Sequence, residues 1–428
     1  MPDDSKRKAP GKLQPVRGTR DLIGEDLRAH RHVAELFRDI AERYAFEEIA
    51  TPIFEFTEVF KRTLGESSDV VTKEMYSFKD RSDDWLTLRP EYTAGIARAW
   101  LSGGLASRGV VKLFGVGPMF RHERPQKGRL RQFHQLDAEI IGSAEPEADI
   151  ELLAMAWQLL TDLGVAQDTV LHLNTLGDPE SRQAYRAVLV DYFEAQAEAL
   201  SEDSRRRLHS NPLRILDSKD PRDRSLLDAA PRMADYLNAQ SRAFFEEVCA
   251  GVRLLGIPFV EDPHLVRGLD YYTHTAFEFI TDRLGAQGTV LAGGRYDGLI
   301  EQMGGPPTPG VGWAAGIERL AMLAPAPPPL ARLTVLVPLG EAAERRALQL
   351  ARDLRADGIR LDTDFKGNMK KRLNRAARKN ARFAVILGED ELARGEAALR
   401  DLDSGEQSDI PLDDLAEDLR RRTLSHEG

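Results

Sequence analysis

Apolar side chains return every three or four positions from residue 27 to 44. They put Val33, Leu36, Phe37, Ile40 and Tyr44 on one stripe and predict an amphipathic helix. Residues 149–163 repeat the pattern and stop at Gly164, where a left-handed cap is expected. Apolar runs at 110–114, 136–141, 276–281 and 311–315 read as strands, and the run at 49–56, with Pro52 inside it, is strand-like. Strands that both precede and follow helices predict an α+β core, an antiparallel sheet flanked by helices. The stretch at about 181–258 is helix-rich with few strand signals and reads as a helical insertion.

The pattern changes after APAPPP at 324–329. Proline at that density suits neither a helix interior nor a central strand, so 324–330 reads as a stiff connector between a core at 13–323 and a second domain at 331–428. In that domain 333–337 and 383–387 are buried-strand runs, 342–357 is helix-periodic, a brief strand lies near Ile359, and 370–379 is a basic helix. The alternation predicts a small α/β domain with a largely parallel sheet. Its basic helix is expected to be offset by acidic residues, chiefly after Glu389. Residues 1–12 are polar and expected to be flexible.

Composition narrows the class. The chain has 428 residues, 42% hydrophobic and 30% charged, with no apolar run long enough to suggest a membrane span. Its start has no apolar stretch of the secretory type, and a single cysteine, Cys249, excludes an internal disulfide framework and a Cys-based zinc cluster. A cytoplasmic enzyme or multidomain binder is expected. The net charge of −10 argues against general nucleic-acid coating, yet 366–382 carries eight basic residues and no acid. Arg121, Arg124, Lys127, Arg129 and Arg131 form a second cluster against Glu123 alone. Solvated faces carry such runs too, but local patches on an acidic protein fit a specific polyanion.

Three segments hold candidate chemistry. In the first, Arg121, His122 and Glu123 precede a basic loop containing Gly128, and Phe133, Gln135 and Glu139 follow it, as strand, loop and strand. An arginine fork suits phosphate, a carboxylate can accept from an adenine amino group, and the Phe133 ring offers a stacking face. The second joins Arg267, Tyr271 and Tyr272 to the glycine-rich stretch 293–298, which contains Arg295 and Tyr296. Paired tyrosines beside an arginine can build a polar pocket with rigid walls. The third, 310–320, is a glycine-rich strand entering a helix with Glu318 and Arg319, and it does not satisfy GxGxxG.

With these segments the chain resembles the class II aminoacyl-tRNA synthetases, and within them the histidyl-tRNA synthetase family. Pro52 looks like the proline of motif 1, 120–123 with its return strand like motif 2, and 312–319 like motif 3. The stretches 267–272 and 293–298 resemble the two histidine signatures, 88–91 adds to them, and 331–428 resembles the anticodon-binding module. The resemblance implies ATP-dependent attachment of L-histidine to tRNA(His) through histidyl-adenylate, with release of AMP and diphosphate. It implies a homodimer without membrane association. Mg²⁺ would come with ATP as substrate, and no tightly bound metal or organic cofactor is expected.

Carried over residue by residue, Arg267 and Arg121 are the catalytic cations. The resemblance implies that Glu91, Tyr92, Thr93, Arg121, Gln135, Glu139, Arg267, Tyr271 and Tyr272 bind histidine, and that Arg121, Glu123, Phe133 and Arg319 bind ATP. Arg124, Gln126, Arg131, Lys370 and Lys371 meet tRNA. Tyr92 and Asp137 depart from the family pattern, which often has glycine and a small residue there. Tyr92 is expected to narrow the pocket or pack behind it, and Asp137 to point to the other face of its strand. Two rivals remain. One is a regulatory subunit of ATP phosphoribosyltransferase, a family that typically lacks the anticodon module. The other is a synthetase for another amino acid.

Overall fold

Proline has no N–H to give to a ladder, and the run at 49–56 breaks at Pro52. Glu47–Glu48 pairs into one sheet and Phe54–Phe56 into another, so the proline marks a change of sheet rather than the middle of a strand. The structure, a computed structural model, describes residues 13–65, 68, 70–267, 271–364 and 366–424. The flexible start expected at 1–12 lies outside the described residues. The chain divides into two compact units between Pro327 and Pro328.

The first unit is built on an eight-stranded sheet. Its order is Glu47–Glu48, Val111–Phe120, Gln132–Ile141, Gly310–Gly316, Thr289–Arg295, Thr273–Ile280, Val170–Thr175 and Phe259–Glu261. The two outermost pairings are parallel and the inner ones antiparallel, an α+β core as expected. Side chains alternate between faces along a strand. Leu136, Ala138 and Ile140 therefore join Phe37 of helix Glu25–Arg43 and Leu152 of helix Pro146–Asp162 in one core. The intervening Gln135, Asp137 and Glu139 share the opposite face. The expectation that Asp137 turns away from its neighbours is overturned by this period of two. Helix Pro146–Asp162 stops where expected, with Gly164 at φ 69°.

Helices Pro179–Glu194, Glu202–Arg207, Pro221–Leu227 and Ala239–Leu254 fill the stretch between strands Val170–Thr175 and Phe259–Glu261. Ala239–Leu254 packs Val248, Cys249 and Val252 into the main core, whereas Tyr185, Leu189 and Phe193 join a second core with Tyr271 and Tyr272. The helical stretch is therefore shared between two cores.

The second unit holds a five-stranded sheet in the order Leu361–Thr363, Thr334–Pro338, Phe383–Leu387, Glu396–Asp401 and Gln407–Pro411. The first three strands are parallel and the last two antiparallel, which corrects the largely parallel expectation. The short helix Glu389–Arg394 reverses the chain at Gly395 (φ 71°), and such a connection is too short for a parallel crossover. The basic helix Met369–Arg378 is offset nearer by than expected. Arg375 pairs with Asp364 at 2.6 Å and Lys379 with Asp362 at 2.5 Å, both ahead of Glu389.

Candidate active site

A cavity opens on the sheet face that carries Gln135 and Asp137. One group of its residues offers acceptors. Glu91 precedes helix Thr93–Ser102 and accepts the Ala94 N–H at 2.9 Å, which holds its carboxylate at the helix start. Glu139 accepts from the Thr93 hydroxyl at 2.6 Å and from the Tyr296 hydroxyl at 2.5 Å. Gly312 pairs directly opposite Glu139 and leaves its carboxylate room. Burial pushes the carboxyl groups of Glu91, Asp137 and Glu139 up, Glu139 to about 8, and repulsion from neighbouring carboxyl groups adds to the rise at Asp137 and Glu139. The oxygens of Asp137 and Oε1 of Gln135 are buried without a hydrogen-bond partner among the described residues.

The other group offers donors. Arg267 Nη1 donates to Glu278 at 2.7 Å, and the second Glu278 oxygen accepts from the Thr289 hydroxyl at 2.8 Å. The Arg267 guanidinium lies 5.1 Å from the Tyr272 ring centre, and its Nε has no partner among the described residues. Arg121 Nε donates to the Pro90 carbonyl at 2.8 Å, and its guanidinium sits 5.3 Å from the Phe133 ring centre. Arg319 Nε and Nη2 are likewise buried and unpartnered among the described residues.

Glu318, one residue earlier, is tied down. It accepts from His134 Nδ1 at 2.8 Å and from the His134 backbone N–H at 3.0 Å, with His30 Nε2 at 3.4 Å. Burial opposes its charge, but these bonds prevail and hold its carboxyl at about 2. One carboxylate thus joins helix Glu25–Arg43, strand Gln132–Ile141 and helix Ile317–Leu323.

The cavity brings together most of the expected site residues. Glu91, Thr93, Gln135, Tyr271 and Tyr272 line it, as do Arg121, Glu123, Phe133, Arg267 and Arg319. Glu139 stands just behind this wall, under Thr93 and Tyr296. Tyr92, expected among the histidine ligands, is not in the wall. Its ring packs on Gly115 beneath the Arg89 guanidinium, and its hydroxyl donates to the Ile49 carbonyl at 3.3 Å, so it supports the pocket from behind. Gly268, Leu269 and Asp270 lie outside the described residues. Glu123 pairs with Arg129 at 2.9 Å. Arg124 and Gln126 are exposed on the loop, while Arg131 is half-buried and donates to the Glu123 carbonyl at 3.2 Å. Lys370 and Lys371 are exposed on their helix in the second unit.

Among the further residues that line the same cavity are the polar side chains of Asp137, Glu278, Tyr296 and Glu318. The strand period signalled Asp137. Tyr296 stood inside a quoted motif and Glu318 beside Arg319, while Glu278 carried no signal beyond its place in a strand.

Comparison with known proteins follows the same lines. The family model described as Histidyl-tRNA synthetase matches residues 18–320, and that described as Anticodon binding domain matches residues 334–422. Histidine–tRNA ligase of Rhodospirillum rubrum is 61% identical over 414 residues, 96% of this chain and 99% of that protein. The Gluconobacter oxydans Histidine–tRNA ligase is 56% identical over 404 residues, 94% of this chain and 97% of that protein. The crystal structure of apo histidyl-tRNA synthetase from S. aureus is similar with a TM-score of 0.80 at 36% identity, covering 95% of this chain and 99% of that one.

Proposed function

Since the chain belongs to the histidyl-tRNA synthetase family and attaches histidine to tRNA through an adenylate, we propose how its side chains divide that work. The histidine carboxylate attacks the α-phosphorus of ATP and diphosphate leaves. A ribose hydroxyl of tRNA(His) then attacks the activated carbonyl and releases AMP. Neither step needs a protein nucleophile, so positioning and charge stabilisation carry the rate.

Glu91 and Gln135 receive the α-ammonium group beside Thr93, whose hydroxyl is given to Glu139. A carboxyl oxygen of Glu139 takes the imidazole N–H once a covering hydroxyl rotates, and the Tyr272 phenol reads the other ring nitrogen. Tyr271 walls the pocket beside it. Arg267 and Arg121 hold the reacting carboxylate and α-phosphate, Phe133 and Glu123 the adenine, and Arg319 the outer phosphates. ATP arrives with Mg²⁺, which shares the phosphate charge as part of the substrate. Arg124 and Gln126 meet the acceptor end of tRNA, Arg131 shapes their loop, and Lys370 and Lys371 serve phosphates near the anticodon.

One observation supports this reading above the others. A single cavity holds acceptors on Gln135 and Asp137 together with donors on Arg267 and Arg319 that have no hydrogen-bond partner among the described residues. A zwitterion meeting a polyphosphate satisfies both sets. Buried polar groups without partners are costly, so a site that keeps them is one that a ligand completes.

The three-stranded sheet of Phe54–Phe56, Trp85–Leu88 and Tyr76–Lys79 supports a homodimer. Phe54, Phe56, Phe78 and Trp85 on it are 44–58% exposed, an apolar area that a twofold partner would cover. A cytoplasmic location accords with the absence, among the described residues, of a helix long and apolar enough to cross a membrane.

The test is exchange of labelled diphosphate into ATP with each amino acid separately and no tRNA. Exchange with histidine alone is expected. Exchange with another amino acid would overturn the pocket assignment. Histidine binding without exchange would favour the regulatory-subunit reading.

A further inference from the structure

Asp137 is completely buried on strand Gln132–Ile141, yet it lines the cavity and neither of its oxygens has a hydrogen-bond partner among the described residues. Arg89 and Arg121 attract it across space, but neither hydrogen-bonds it. Arg89 gives Nε to the Pro118 carbonyl and Nη1 to the Thr51 carbonyl, both at 2.9 Å, and Arg121 gives Nε to the Pro90 carbonyl at 2.8 Å. Asp137 also stands between two acceptors on its own strand face, Gln135 and Glu139, with Glu91 close enough to repel it. A buried carboxylate in this state is stable only if a cation or proton joins it.

The amino acid supplies that cation, and its donors can be counted. A neutral imidazole has one N–H, which Glu139 takes in the reading above. The α-ammonium has three N–H groups, and it alone among the amino acid's groups carries a full positive charge at neutral pH. Gln135 Oε1 is the other wall acceptor with no partner among the described residues, and Glu91 already accepts from Ala94. The unsatisfied carboxylate and the unsatisfied ammonium match.

We propose that Asp137 is a substrate-binding carboxylate of this protein, accepting hydrogen bonds from the α-ammonium group of the bound amino acid beside Glu91 and Gln135. The proposal rests on the amino-acid pocket described under Proposed function. It adds a substrate-binding residue at a position where the family pattern often has a small side chain.

Two probes separate this contact from a general effect on the pocket. Histidinol keeps the ammonium and the imidazole, whereas 3-(imidazol-4-yl)propanoate keeps the imidazole and lacks the ammonium. Both would be titrated as competitive inhibitors of histidine-dependent diphosphate exchange in the wild type, Asp137→Asn and Asp137→Gly. Losing a hydrogen bond to a charged group should weaken histidinol roughly ten- to a hundred-fold in both variants, with propanoate binding and the KM for ATP unmoved. Equal weakening of both probes would assign Asp137 to pocket shape, and no weakening of either would make it a solvent-bound bystander; both results overturn the proposal. If the wild type binds neither probe nor histidine, it is the pocket reading itself that fails. Thermal melting of each variant guards against misfolding, and Asp137→Asn should melt no lower than the wild type because it removes a buried charge.

Discussion

Gly312 and Glu139 face one another across the pair of strands Gly310–Gly316 and Gln132–Ile141, and a β-carbon on Gly312 would lie 1.5 Å from Glu139 Oε2. The glycine is there for space. Gly312→Ala should push Glu139 off the Tyr296 and Thr93 hydroxyls and lower kcat/KM for histidine roughly 10²-fold, the scale of a misplacement of about 1 Å at a reacting site. Steady-state exchange kinetics check this, and a wild-type KM for histidine in the variant would show that the carboxylate has another place to go.

Glu139 should also be visible in the pH dependence of stability. Burial, only partly offset by the Thr93 and Tyr296 hydroxyls, raises its carboxyl from 4.5 to about 8. The folded state therefore keeps a proton that the unfolded chain gives up. The resulting stabilisation is complete below pH 4.5 and is lost as pH rises through about 8. Melting temperatures of the wild type should fall across that window, and those of Glu139→Gln should fall less. Histidine binding by the same variant should weaken far more than ATP binding.

Arg267 is held by Glu278 and flanked by Tyr272, with Nε unpartnered among the described residues. Arg267→Ala should lower adenylate formation by roughly 10²–10³-fold, the scale of losing one preorganised donor. Single-turnover measurement without tRNA is the direct check, and a near-normal rate would remove Arg267 from the chemistry.

Glu318 ties His134, next to Phe133, to the start of the helix that carries Arg319. Glu318→Ala should raise the KM for ATP about tenfold and leave that for histidine near the wild type, because both residues it steadies belong to the nucleotide half. Glu318→Gln, which keeps an acceptor for the His134 N–H, should recover part of the loss. A common rise in both KM values would mean general loosening.

Lys370 and Lys371 project from the basic helix Met369–Arg378, whose Arg375 is already paired with Asp364. Replacing both lysines with alanine should weaken tRNA binding and flatten its dependence on salt, since fewer counterions are released. Filter binding across a salt series would read both effects. Unchanged affinity would leave the patch as solvated surface.

Much of this was legible along the chain. The stripe of Val33, Phe37 and Ile40 placed one helix, and the motif residues Glu91, Arg121, Gln135, Arg267 and Arg319 meet around one cavity. The misreadings have local causes. Residues 135, 137 and 139 share a parity, so the strand's own period put Asp137 beside its neighbours despite the expectation that it turned away. Tyr92 sits next to Glu91 in sequence, but at the start of helix Thr93–Ser102 successive side chains diverge, and its ring goes under Arg89. The sheet of the second unit looked parallel because alternating strands and helices usually make one, and the short helix Glu389–Arg394 reverses the chain instead.

Local order and the kinds of side chain available were determined by the sequence alone, because helix and strand periods and the proline connector are written within a few residues of one another. The tertiary structure decided which groups are left unsatisfied. His30 reaches Glu318 across 288 residues, and Tyr296 covers Glu139 across 157. Strand Gly310–Gly316 lies against Gln132–Ile141 although about half the first unit separates them in the chain. No local pattern reports such meetings. They follow from the order of strands in the sheet, and that order leaves polar atoms of Asp137 and Arg319 buried without hydrogen-bond partners among the described residues, which is what makes the cavity a candidate site.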